Sequence, residues 1–164
     1  MILMNVWNCS NWRNILDINS RYYRVGIRLQ FDKNVDSEVK RAVIEFTKWL
    51  RSQYFFPVRV PIYFKAAVYV RTQDGDRVTA KIFEPFNKAN EPYISIATGE
   101  IKDKKAFQSK DNFLAGILGS MVHELTHYFQ WVNDIDLTDR QAERQANYYR
   151  KKIIQQYALT REHP

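Results

Sequence analysis

The sequence predicts one α+β domain, a small and mostly antiparallel sheet packed against helices. Three observations carry this expectation. Aromatic and β-branched runs broken by turn residues fill the first hundred positions, and a three-and-four-residue apolar period begins near residue 111. The chain of 164 residues, 45% hydrophobic, suits a single core and holds no repeat, low-complexity tract or linker. Residues 1–164 therefore form one domain, with 1–20 expected as a loosely packed N-terminal segment.

"RYYRVGIRLQF" (21–31) reads as a strand. "DSEVKRAVIEFTKWLRSQYFF" (36–56) places Val39, Val43, Phe46 and Leu50 on one helical face, with Asp36 or Ser37 as cap and Pro57 as stop. "VRVPIYFKAAVYVRT" and "RVTAKIFEPF", joined by "QDGD", predict a hairpin turning at Asp74-Gly75. "PYISIATGE" (92–100) is a further short strand. Leu114, Leu118, Met121, Leu125, Phe129 and Val132 then form the buried stripe of a helix. The last helix spans about 139–158, opened by a Thr138/Gln141 capping box. Ala142, Ala146, Tyr149, Ile153, Ile154 and Tyr157 mark its inner side, and Glu143 lies in the same sector.

The chain has three histidines, and two of them fall in "VHELTHYFQW" (122–131) as His123-Glu124-x-x-His127. Random placement would give this spacing about 0.003 times, so coincidence is a poor account. At 100° per residue both rings leave one helix face, 40° apart and opposite the apolar stripe. Two imidazoles so placed can share one ion. Glu124 is turned too far to bind with them and is placed to act as a base on a metal-bound water. Gly116, Gly119 and Ser120 lie near the histidine face. Two glycines inside a helix, each costing about 1 kcal/mol against alanine, point to close approach by another segment.

Catalytic zinc commonly takes three protein ligands. The position six after His127 is Asn133, which excludes histidine there. His163 lies at the chain end, and Asp134, Asp136 and Asp139 are loop carboxylates. Glu143, sixteen residues past His127, is the favoured third ligand if a short loop folds the last helix back across the histidine face. Its alternative is an ion pair with Arg140 or Arg150.

"HELTH" followed by "ERQAN" resembles the gluzincin branch of the zincin-like metallopeptidases, and more specifically small ImmA/IrrE-like peptidases of phage and mobile elements. The resemblance covers about thirty residues of the C-terminal half, and no accompanying DNA-binding module is present. It implies a Zn2+ ion held by His123, His127 and Glu143, hydrolysis of a protein or peptide substrate, and Glu124 as catalytic base. It gives "PYISIATGE" the role of an edge strand that adds a substrate strand, against the plain reading of an ordinary sheet strand. It implies that Asn147, four positions after Glu143, supports a histidine ligand. An oxyanion partner is open among Tyr128, Tyr148, Tyr149, Tyr157 and several arginines. Cys9 as a latent zinc cap is the lesser reading, a small buried hydrophobe the ordinary one.

A net charge of +7, with clusters at "KDKK" (102–105) and "RKK" (150–152), implies weak, salt-sensitive contact with nucleic acid at most. One cysteine, no apolar span and no cationic leader lead us to expect a cytoplasmic, non-membrane protein. Two other functions fit the same residues: a non-catalytic zincin-fold interaction protein, and a basic nucleic-acid-associated protein with a structural metal.

Overall fold

The computed structural model describes residues 5–99 and 109–164. The "KDKK" cluster and the end of the 92–100 segment lie outside the described residues. The architecture is mixed α/β, a four-stranded sheet covered by three helices, as the α+β expectation required.

Strand β1 (Ile27–Phe31) leads into α1 (Ser37–Gln53), which Asp36 caps by accepting from the Glu38 amide. α1 buries Val39, Val43, Phe46 and Leu50, the predicted face. It is the crossover that lets β2 (Val60–Lys65) lie parallel to β1. β3 (Val70–Arg71) and β4 (Arg77–Val78) form a small separate hairpin, turning at Gly75 with φ +86°. β5 (Ala80–Phe83) and β6 (Tyr93–Ala97) complete the main sheet in the order β1-β2-β6-β5.

Two expectations fail here. The predicted hairpin survives only at its tip, because bends at Ala66–Val68 and at Thr79 break both arms. The lower arms, β2 and β5, then separate, and β6 enters between them, parallel to β2 and antiparallel to β5. The sheet is therefore mixed, with two parallel pairs and one antiparallel pair. Burial explains the insertion. Ile94, Ser95, Ile96 and Ala97 are all buried, which is the mark of an interior strand covered on both faces. Across the sheet, Leu29, Ile62, Ile94 and Ile82 align in one row, and Phe31, Phe64, Ile96 and Ala80 in the next.

Helix α2 (Lys110–Val132) packs on β5, β6 and α1, with the predicted stripe from Leu114 to Val132 buried. Helix α3 (Asp139–Ala158) carries the capping box, Thr138 and Gln141 each closing a bond to the other's backbone. Such a cap is worth about 1 kcal/mol. α3 runs back along α2, and Ala146, Tyr149, Ile153 and Tyr157 fill the contact.

The N-terminal segment also departs from expectation. Val6, Trp7 and Trp12 are buried in the main core rather than loosely attached. The Trp7 indole lies among Tyr54, Phe56 and Phe129 and donates to Thr126 Oγ1 at 3.0 Å. Asn133 holds the next turn by accepting from the Trp12 amide at 3.0 Å. Among the described residues, no helix is long and apolar enough to cross a membrane.

Candidate metal centre

The i, i+4 spacing on α2 sets the His123 and His127 rings side by side, their centroids 5.0 Å apart. The loop after Val132 is short, so α3 returns antiparallel within one turn of the motif. Gln130 meets Ala142 and Gln145, the two histidines meet Glu143, and Gly116 meets Arg150. The small, fully buried Ala146 lets the helices approach at this level. Glu143 Oε1 lies 2.8 Å from His127 Nε2, and its Oε2 lies 3.1 Å from His123 Nε2. One ligand atom from each of the three residues falls within 4.8 Å of the others, the one such group among the described residues. Glu143 thus faces the histidines, and neither Arg140 nor Arg150 pairs with it among the described residues.

The donor chemistry can be tested for fit to a cation. Gln130, buried one turn after His127, gives both its Nε2 protons away, to Ala142 O at 3.1 Å and Gln145 Oε1 at 2.9 Å. Its Oε1 is therefore the atom facing His127 Nδ1, at 2.8 Å, and His127 must donate there. In neutral His127 the lone pair then sits on Nε2, pointing at a carboxylate oxygen 2.8 Å away. Two acceptors face each other, and only a proton or a metal cation relieves that. A ring oriented through Nδ1 with Nε2 free for an ion is the usual form of a metal-ligating histidine. The residues fit a borderline cation such as zinc.

His123 is less supported. Its Nδ1 is buried and has no hydrogen-bond partner, although Asn147 lies near enough to the ring to favour its charged form. Burial and the neighbouring His127 outweigh that influence and hold its pKa below the usual histidine value. Glu124 is only 7% exposed. Burial pushes its pKa up to about 7, with Glu143 and Glu84 adding repulsion and His127 opposing them.

The remaining sequence candidates lie elsewhere. His163 pairs with Asp111 at 2.7 Å, Asp134 with Lys88, and Asp136 and Asp139 are exposed. Cys9 is not in the ligand group. Tyr128 spends its hydroxyl on Val58, accepting from the amide at 2.8 Å and donating to the carbonyl at 2.5 Å. Tyr149 and Tyr157 are core residues, and Tyr148 is exposed beside Tyr149. Gly119 is closely approached, since a Cβ there would meet Arg150 Nε at 2.7 Å, whereas Gly116 faces open space.

A cleft of about 530 Å³ runs along β5 over Glu124, His127 and Glu143, and a second cavity of about 230 Å³ at His123, Asn147 and Arg150 adjoins it, sharing Ala80 and Glu124 in its lining. Its wall corrects the edge-strand assignment: β6 is interior, and β5 is the strand whose outer edge borders the site. Glu84, Tyr93 and Gln130 belong to this region and were not anticipated. Gln130 carried a signal, being three positions after His127 on its face; Glu84 and Tyr93 carried none. A larger groove of about 810 Å³, between residues 15–24 and 86–91, contains none of the ligand group.

No known protein family, curated protein or solved structure matches this chain.

Proposed function

We propose that this protein is a zinc-dependent metallopeptidase of gluzincin type, with a zincin-like arrangement of edge strand, motif helix and glutamate helix. The observation that carries the reading is the convergence of His123 Nε2 and His127 Nε2 on one Glu143 carboxylate, with buried Glu124 beside them. A structural site has no need of a buried carboxylate that is not a ligand, and this favours catalysis over a purely structural metal. The single cysteine of the chain fits a reducing, cytoplasmic setting.

His123, His127 and Glu143 would hold the ion. Zinc bound there supplies Lewis-acid polarisation of the scissile carbonyl and a lowered pKa for an attacking water. The chain's own residues do the rest. The outer edge of β5 offers backbone groups to an extended peptide, which orients the scissile bond over the motif. Glu124 sits in a largely dehydrated position, with a proton affinity lifted toward neutrality, so it can take a proton from water and return it to the leaving amine. Gln130 fixes the His127 ring.

The test is zinc content and peptide-bond cleavage measured together. Purified protein is expected to carry one zinc per chain and to digest casein or a peptide library, to lose both on chelation, and to regain both with zinc. Absence of zinc binding would overturn the reading. A finer expectation concerns the two supporting amides. Gln130→Ala should weaken zinc binding about 10–100-fold in a chelator competition. Asn147→Ala should do less, because its amide leaves His123 Nδ1 unbonded. Equal, negligible effects would mean that neither residue supports a ligand.

A further inference from the structure

The two ends of the cleft carry opposite charges. Ala80, at the start of β5, lines a cavity with Ser120 and His123, and Pro85, just past its end, accepts from Trp131 Nε1 at 2.9 Å. α2 and β5 therefore run in the same direction, and distance along the cleft can be read from the helix. At the His123 end stands Arg150. Its guanidinium lies over Gly119 and reaches toward the Gly116 carbonyl at 3.5 Å. It lines the cleft beside Ser120 and Ala80 and pairs with no carboxylate among the described residues. At the His127 end stands Glu84, directly after β5. It lies within electrostatic reach of both Glu124 and His127 and has no ion pair among the described residues, since nearby Lys88 is paired with Asp134. Lys81, the other charge on this wall, is turned onto the Arg71 carbonyl.

The separation follows from helix geometry. From Gly119 to the level of His127 is about 12 Å, and to the level of Trp131 about 18 Å, at 1.5 Å per residue. An extended peptide rising about 3.3 Å per residue covers that span with about four to five residues.

We propose that the cleft selects peptides by the order of their charges. A cationic group, either an N-terminal ammonium or a Lys or Arg side chain, lies at Glu84. An anionic group, Asp, Glu or a C-terminal carboxylate, lies about four to five residues later at Arg150. A peptide satisfying both runs antiparallel to β5, so the charges fix strand direction as well as register. The choice of a peptide as ligand rests on the peptidase reading; the charge order does not require turnover. Gly119 is part of the device, because a Cβ there would meet Arg150 Nε at 2.7 Å and push the guanidinium from its place.

The experiment is binding, read by fluorescence anisotropy on zinc-loaded Glu124→Gln protein. Two labelled peptides of identical composition are compared, Lys-Ala-Val-Ala-Glu and Glu-Ala-Val-Ala-Lys, each N-acetylated and joined at its C-terminus through a neutral amide linker to the dye, so that only the side chains carry charge. The Lys-first peptide is expected to bind about tenfold more tightly. Glu84→Gln and Arg150→Gln should each remove most of that preference at unchanged zinc content. Gly119→Ala, which keeps every charge but displaces the guanidinium, should behave like Arg150→Gln. No binding, no preference, the reverse preference, or a preference that survives both charge substitutions would overturn the proposal. Ordered binding without cleavage by the wild type would keep this inference and remove the peptidase reading. Cleavage without order would do the opposite.

Discussion

Glu143→Ala is expected to lose more than about 100-fold in zinc affinity, beyond the 10–100-fold typical of losing an outer partner. Among the described residues, Glu143 is the only carboxylate whose oxygens face both imidazoles, at 2.8 and 3.1 Å, and no other acid joins the ligand group. Two histidines alone leave the ion short of the three protein ligands of a catalytic zinc site. The fold should not suffer, because the Glu143 side chain is 57% exposed and alanine is a strong helix former. Elemental analysis and a chelator competition, with circular dichroism as control, check this beside Asp136→Ala. Full zinc in Glu143→Ala with loss in Asp136→Ala would move the third ligand into the loop.

What was legible in the sequence was what depends on local period. The i, i+4 histidines fix a shared face whatever surrounds the helix, and Thr138/Gln141 marks where α3 begins, so the sixteen-residue step to Glu143 could be read as an antiparallel return. Strand pairing depends instead on which segments meet across the whole chain. "VRVPIYFKAAVYVRT" is a good strand by propensity, yet the bend at Ala66–Val68 divides it, and β6 takes the place that the hairpin partner was expected to fill. The edge beside the motif is therefore β5. Burial of the N-terminal tryptophans is not legible locally for the same reason: their partners Phe129, Thr126 and Asn133 lie more than a hundred residues away. Gln130 could have been found from helix geometry, whereas Glu84 reaches the site only because β5 lies along α2.

Glu124→Gln is expected to lower peptide hydrolysis about 10²–10⁴-fold while leaving zinc content unchanged, since glutamine keeps the shape but cannot accept a proton. The same substitution has a second signature in the zinc-free protein, opposite in sign to ordinary loss of function. The folded-state pKa of Glu124 is raised to about 7 from 4.5, so between those values the folded chain holds a proton that the unfolded chain has released. Stability then falls as pH rises from about 4.5 to about 7, reaching a deficit of at most about 3 kcal/mol and staying there at higher pH. Glutamine has no such charge to bury. Chelator-stripped Glu124→Gln should therefore melt above stripped wild type at pH 8, and the gap should close at pH 4 to 5, where Glu124 is protonated in both states. Zinc should also close it by neutralising the carboxylate's surroundings. Thermal melts at pH 4.5, 6 and 8, with and without zinc, read all of this in one set. If the stripped variant is no more stable than wild type at pH 8, Glu124 is not the dehydrated base required by this mechanism.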